Sequence, residues 1–92
     1  MSNEKKYERQ VFDAAEKKGG RGFKFVSPGS KGVPDRIVAM PEGRTDWIEF
    51  KDDSVKELKG LQDYWRRWFK VRGHNYYFIN SQKLVDEYIQ SL

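Results

Sequence analysis

The 92-residue chain has no cysteine, a single histidine at His74 and only three prolines. Without thiols it can hold neither disulfides nor a thiolate metal centre, and one imidazole does not make the usual zinc cluster. Such a chain suits a reducing compartment, and a cytoplasmic location is expected. No apolar run is long enough to span a bilayer, and the opening residues MSNEKKYERQ carry charge where a secretory leader needs an apolar stretch. Neither membrane insertion nor export is therefore expected. Repeats, low-complexity tracts and linkers are lacking too, so residues 1–92 are read as one domain with a modest core and no separate recognition module.

What the chain does have is charge and aromatic rings. Lys and Arg number 18 against 14 Asp and Glu, a net charge of +4. That excess gives a mild bias toward polyanions, although solubility alone would also explain it. Aromatic residues make up 15% of the chain despite a mean hydropathy of −0.93. This is too many rings for a disordered tail, and some are expected to line an interface.

Between Glu4 and Lys18, the spacing of Tyr7, Val11, Ala14 and Ala15 predicts a helix with one apolar stripe, closed by Gly19 and Gly20. RGFKFV alternates as a strand, with Phe23 and Phe25 on one side, and SPGSKG is made of turn residues. DRIVAM and TDWIEFK, joined by the short PEGR connection, predict an antiparallel hairpin. After the charged loop DDSVKELK, the residues Leu61, Trp65, Trp68 and Phe69 share one face of a second helix that ends at Gly73. NYYFIN has strand character. Leu84, Val85, Tyr88, Ile89 and Leu92 form the buried stripe of a last helix that Ser81 caps. The order αβββαβα defines an α/β fold. Its strand–helix–strand crossover makes strands three and four parallel and the sheet mixed.

The chemistry is carried by GVPDRIVAMPEGRTDWIEFK, Gly32 to Lys51. Residues two apart in a strand point the same way, so Trp47, Glu49 and Lys51 share one face and the core takes Ile48 and Phe50. Asp35 opens the neighbouring strand after Val33-Pro34, which keeps the chain extended, and the tight turn brings the two strands side by side. An Asp, a Glu and a Lys are thus expected to meet at one spot. Two neighbouring carboxylates repel unless a cation lies between them, and a ligand set with no thiol or imidazole suits Mg²⁺ or Mn²⁺. Such an ion polarises a phosphodiester oxygen, while a nearby ammonium orients water or offsets charge building on phosphorus. The pattern points to phosphodiester hydrolysis.

VPD, thirteen residues, then EFK resembles the PD-(D/E)xK nuclease motif, and the element order resembles that superfamily's restriction-endonuclease-like αβββαβ core with a C-terminal helix. More narrowly, GG before the first strand, KFVSPGSKGVPDRIV, the EGR turn, IEFK and the later Leu61-Gln62 resemble the virus-type replication-repair nuclease (VRR-NUC) family through nearly the whole chain.

The resemblance implies a metal-dependent DNA endonuclease in which Asp35 and Glu49 hold the ion and Lys51 acts on the scissile phosphate. It also implies that an acid of the first helix completes the metal site. The candidates are Glu4 and Glu8, and Glu8, one turn before Val11 on the sheet-facing stripe, is the better placed. By the same resemblance the Phe50 backbone carbonyl is a ligand, and Gln62 lies near the attacking water or the scissile phosphate. Relatives usually carry Ser-Pro before that Leu-Gln. Here Lys59 and Gly60 replace it, so the second helix starts with a weaker cap.

Lys24, Lys31 and Arg36 bracket the site and are the expected DNA contacts. With no module to read base edges, substrate choice is expected to rest on backbone shape, with branched DNA such as four-way (Holliday) junctions favoured. Small stand-alone members of the family resemble homodimeric junction resolvases, so a homodimer acting in a bacterial or phage-infected cell is expected.

Blander readings exist for each residue taken singly. Asp35 alone reads as a turn aspartate, Glu49 and Lys51 as an exposed strand pair, and Glu8 as a solvated helix acid beside Lys5. His74 reads as a turn residue favoured by a helix dipole. A noncatalytic DNA-binding or adaptor domain with the same fold is the second functional reading, and a sequence-specific restriction enzyme the third. Clustered carboxylates facing phosphates argue against a pure binder.

Overall fold

The computed structural model describes residues 2–92. Helix α1 (Glu4–Lys17) leads to strand β1 (Arg21–Lys24), and β2 (Arg36–Ala39) connects through a 3-10 turn at Pro41–Gly43 to β3 (Thr45–Phe50). Helix α2 (Gly60–Val71), strand β4 (Asn75–Ile79) and helix α3 (Gln82–Ser91) complete the chain. The four strands lie in the order β1-β2-β3-β4. The first three are antiparallel and β4 runs parallel to β3, as the crossover through α2 requires. Ser81 caps α3 by accepting from the Leu84 N–H at 3.2 Å.

Period-two alternation divides the residues of the sheet between two cores. On one face, α1 and α3 bury Tyr7, Val11, Ala15, Val85 and Tyr88 against Val38, Ile48, Phe50 and Ile79. On the other, α2 brings Phe69 over Trp47 and Tyr76, with Trp65 and Trp68 packed beside them. The rings are therefore core by default, and the Trp47 and Phe69 centroids lie 4.9 Å apart.

Two local expectations are corrected. Leu61 shares a helix face with Trp65 and Phe69, yet at the start of α2 it is 54% exposed and lies tight against Gly32 of the β1–β2 loop. Strand β1 ends at Lys24, one residue short of Phe25, although the Phe25 N–H still donates to the Asp35 carbonyl at 2.8 Å.

A charged residue sits inside the first core. Asp46 is fully buried and accepts from Arg44 Nε at 3.0 Å and from the Tyr88 hydroxyl at 2.6 Å. Arg44 in turn donates to the Ser91 carbonyl at 2.7 Å and to Ser91 Oγ at 3.0 Å. This network ties the end of α3 to the start of β3, the strand that carries Glu49.

Candidate active site

The β2–β3 register pairs Arg36 with Ile48 and Ile37 with Trp47. One step further along that register, Asp35 stands opposite Glu49, and directly opposed residues share a face of the sheet. The face is the α2 side, since Trp47, two residues before Glu49, belongs to that core. Lys51 follows on the same side, with its Nζ 4.0 Å from Glu49 Oε2. The structure thus brings Asp35, Glu49 and Lys51 together.

The pair is asymmetric. The Asp35 side chain is 58% exposed, whereas the Glu49 side chain is 8% exposed. Burial pushes the Glu49 carboxyl up to about 7, and the neighbouring Asp35 charge adds to the rise, with Lys51 opposing it. A carboxylate so placed holds a charge that is costly until a cation arrives.

Of the two helix acids, Glu8 accepts a short hydrogen bond from Arg36 Nε, and Arg36 NH1 also lies 3.2 Å from Asp35 Oδ1. Glu4 is the α1 acid whose charge raises the Glu49 carboxyl. The N-terminus of α1 is fastened to the loop just after Lys51. The Asn3 N–H donates to Asp52 Oδ1 at 2.7 Å, and the Tyr7 hydroxyl makes a short bond to Asp53. That bond from Asn3, with others from Ser54, holds the Asp52 carboxyl down at about 2. These contacts join the start of α1 to the loop after Lys51, and nothing local in the sequence announces them.

Gln62 shares a cleft of about 480 Å³ with Lys51, Lys56 and Lys59. Lys59, the residue before α2, offers no side-chain cap to the helix. The helix start is instead located by the loop that carries Asp35. The Trp65 indole donates to the Lys31 carbonyl at 2.9 Å, and Gly32, at φ +84°, lies directly on the backbone of Leu61 and Gln62. A Cβ on Gly32 would fall 2.7 Å from the Leu61 Cβ and 2.9 Å from the Gln62 nitrogen. Gly32→Ala is therefore expected to cost on the order of 2–3 kcal/mol, from the left-handed backbone and the overlap together. It should also slow cleavage by shifting the start of α2, which carries Gln62; thermal melts and single-turnover rates check both.

Of the expected DNA contacts, Lys24 and Arg36 lie in a cleft on the α1 side, and Lys31 is exposed on the Gly32 loop. Arg36 is committed to Glu8 and Asp35. The buried Asp46–Arg44–Tyr88 network was not singled out from sequence. A signal was present, because Asp46 has the same parity as Ile48 and Phe50 and so falls on the core face of β3.

A mixed four-stranded sheet with an acid pair and a lysine at the β2–β3 seam defines a nuclease domain of the PD-(D/E)xK kind. No family model matches the chain. A protein of Acyrthosiphon pisum secondary endosymbiont phage 1 named "Putative nuclease p44" is 37% identical over 84 residues, spanning 91% of this chain and 89% of its own length. A solved structure titled "VRR_NUC domain" superposes with a TM-score of 0.85 at 27% identity, covering 98% of this chain and 97% of its own. The chain belongs to the VRR-NUC family of nucleases.

Proposed function

We propose that this nuclease domain is a divalent-metal-dependent DNA endonuclease whose site is built on Asp35, Glu49 and Lys51. The observation that carries the reading is the buried Glu49 carboxyl, raised to about 7 beside Asp35, with the Lys51 ammonium 4.0 Å away. Among the described residues, no three acid, imidazole or thiol groups form a ready-made metal cage. The donor set nevertheless fits Mg²⁺ or Mn²⁺, because Mg²⁺ is commonly held by one or two carboxylates, with water and substrate phosphate supplying the remaining oxygens. Asp35 and Glu49 would hold the ion, with the Phe50 carbonyl as a further oxygen. An acid of α1, Glu4 or Glu8, would complete the set, and Glu8 is the one engaged by Arg36. When bound, the ion supplies Lewis acidity to the phosphodiester and acidifies water at the site.

The chain's own groups do the positioning. Lys51 directs its ammonium at the oxygens of the scissile phosphate and offsets the charge that builds there as water attacks. Gln62, across the same cleft, orients that water by its amide. Branched DNA is the proposed substrate class, because the helices and strands described are all built into the sheet and its two cores, which favours recognition by backbone shape. A homodimer, placing two such sites for paired cuts, is supported by the exposed Phe23 of edge strand β1 and by Val26 just beyond it. Sedimentation should return a dimer, and four-way junctions should be cut faster than linear duplex of the same sequence; a monomer that cuts both alike contradicts this part. No helix among the described residues is long and apolar enough to cross a membrane.

The raised Glu49 carboxyl has a stability signature. Between its unfolded value of 4.5 and about 7, the folded protein holds a proton that the unfolded chain has lost. Its contribution is therefore fully present below pH 4.5 and is lost as pH rises through about 7. Relative to the parent, metal-free Glu49→Gln should be unchanged near pH 4.5 and more stable by on the order of 3 kcal/mol at pH 8. Saturating Mg²⁺ should close most of that gap by stabilising only the parent, by about 2.7 kcal/mol at a hundredfold excess over Kd. Denaturant melts at the two pH values check it.

A further inference from the structure

The cleft holding Lys51 and Gln62 continues into a larger one of about 850 Å³ between α2 and β4, the two sharing Lys56, Glu57 and Lys59. This larger part of the groove is bounded by Arg66 and Lys70 of α2 and by Tyr76 of β4. Tyr76 is 6% exposed, and its hydroxyl is buried without a hydrogen-bond partner among the described residues. A buried hydroxyl left unpaired costs stability, and such groups in native structures commonly await a ligand or an ion.

The charge along the groove is predominantly positive. Five cations line it against two acids, and one of those acids, Asp63, is already held by Arg66 at 2.7 Å and Arg67 at 3.2 Å. Lys56, Lys59 and Lys70 make no ion pair among the described residues. The cleft on the α1 side differs, since its four acids there match its four cations and Arg36 is bound to Glu8. A polyanion passing over Lys51 is thus drawn toward α2 and β4, away from Lys24 and Arg36.

We propose that this groove seats the DNA backbone flanking the scissile phosphate, with Lys56, Lys59 and Lys70 on phosphates and the Tyr76 hydroxyl donating to a phosphate or sugar oxygen. The assignment rests on the nuclease reading of Asp35, Glu49 and Lys51, and it names the binding surface that reading lacks.

The test uses the full chain with Mg²⁺ and a four-way junction, following cleavage and binding across a salt series. In Lys56→Gln/Lys59→Gln/Lys70→Gln, KM should rise about tenfold or more with kcat within twofold, and the salt slope should flatten by about 2–3, each lost phosphate contact removing about 0.9. A control with Lys17→Gln/Lys18→Gln/Lys83→Gln, which removes the same charge far from the groove, should keep the parent slope. Tyr76→Phe should raise KM while melting no lower than the parent, since it removes an unpaired buried hydroxyl. A groove variant with the parent's KM and slope, or a control that changes as much, overturns the groove and leaves the nuclease site standing. A parent that neither binds nor cuts DNA overturns both. A Tyr76→Phe protein with unchanged KM removes the hydroxyl from the binding surface.

Discussion

Glu49→Gln is expected to lower cleavage by about a thousandfold or more while leaving the domain folded and, without metal at pH 8, more stable than the parent. The loss follows from charge. Glutamine keeps the shape of the side chain but cannot supply the anionic oxygen that, with Asp35, would hold the divalent ion, and about 4 kcal/mol of lost transition-state stabilisation is a factor of about a thousand. The gain follows from the same burial, because the 8%-exposed side chain then no longer carries a charge that repels Asp35. Activity and stability should therefore move in opposite directions in one variant, which simple misfolding cannot produce. Lys51→Ala should lose about a hundredfold to a thousandfold, the range typical of removing one electrostatic stabiliser. Its effect on metal binding should be small. Single-turnover cleavage of junction DNA beside a denaturant melt reads all of these, and a Glu49→Gln protein that cuts at the parent rate would sink the assignment.

Arg44→Ala carries the largest expected cost in stability, about 3–5 kcal/mol, because it strands the fully buried Asp46 without its cation. For a domain of this size that is a fall in Tm of about 15–30 °C, and a large part of a total stability of about 5–15 kcal/mol. The cause is the uncompensated charge rather than the missing contact area. Adding Asp46→Asn to Arg44→Ala should therefore recover part of the loss, a non-additivity that a double-mutant cycle measures. Equal and additive losses would show that the two residues act independently. Since Asp46 lies three residues before Glu49 on β3, and Arg44 ties that strand to Ser91, the Arg44→Ala protein should also lose activity at temperatures where it remains mostly folded.

The fold was legible in the sequence because its signals are local. Alternation in TDWIEFK put Ile48 and Phe50 in one core and Glu49 on the other face, and the register of the short hairpin carried Asp35 opposite Glu49. The crossover rule then gave the parallel pairing of β4 with β3. What was not legible depends on contacts between residues far apart in the chain. The contacts of Asn3 and Tyr7 with Asp52 and Asp53, more than forty positions away, and of Glu8 with Arg36 set where the first turns of α1 lie against the rest of the fold. Helical spacing fixes which residues share a stripe but not where along the sheet the stripe begins. The tight contact of Leu61 with Gly32 is of the same kind, because the two residues come from separate parts of the chain. The polar network around Asp46 was half visible, as a charge at a core position, while its partners Tyr88 and Ser91 come from α3.

The claim on which the mechanism depends is that Asp35 and Glu49 form one cation site. Titrating Mn²⁺ into the metal-free protein, with binding followed by electron paramagnetic resonance, tests it directly. The parent should take up the ion, with affinity falling as pH drops below about 7 because a proton competes for Glu49, and Asp35→Asn and Glu49→Gln should each lose most of that affinity. Equal Mn²⁺ uptake by the parent and both variants would contradict it.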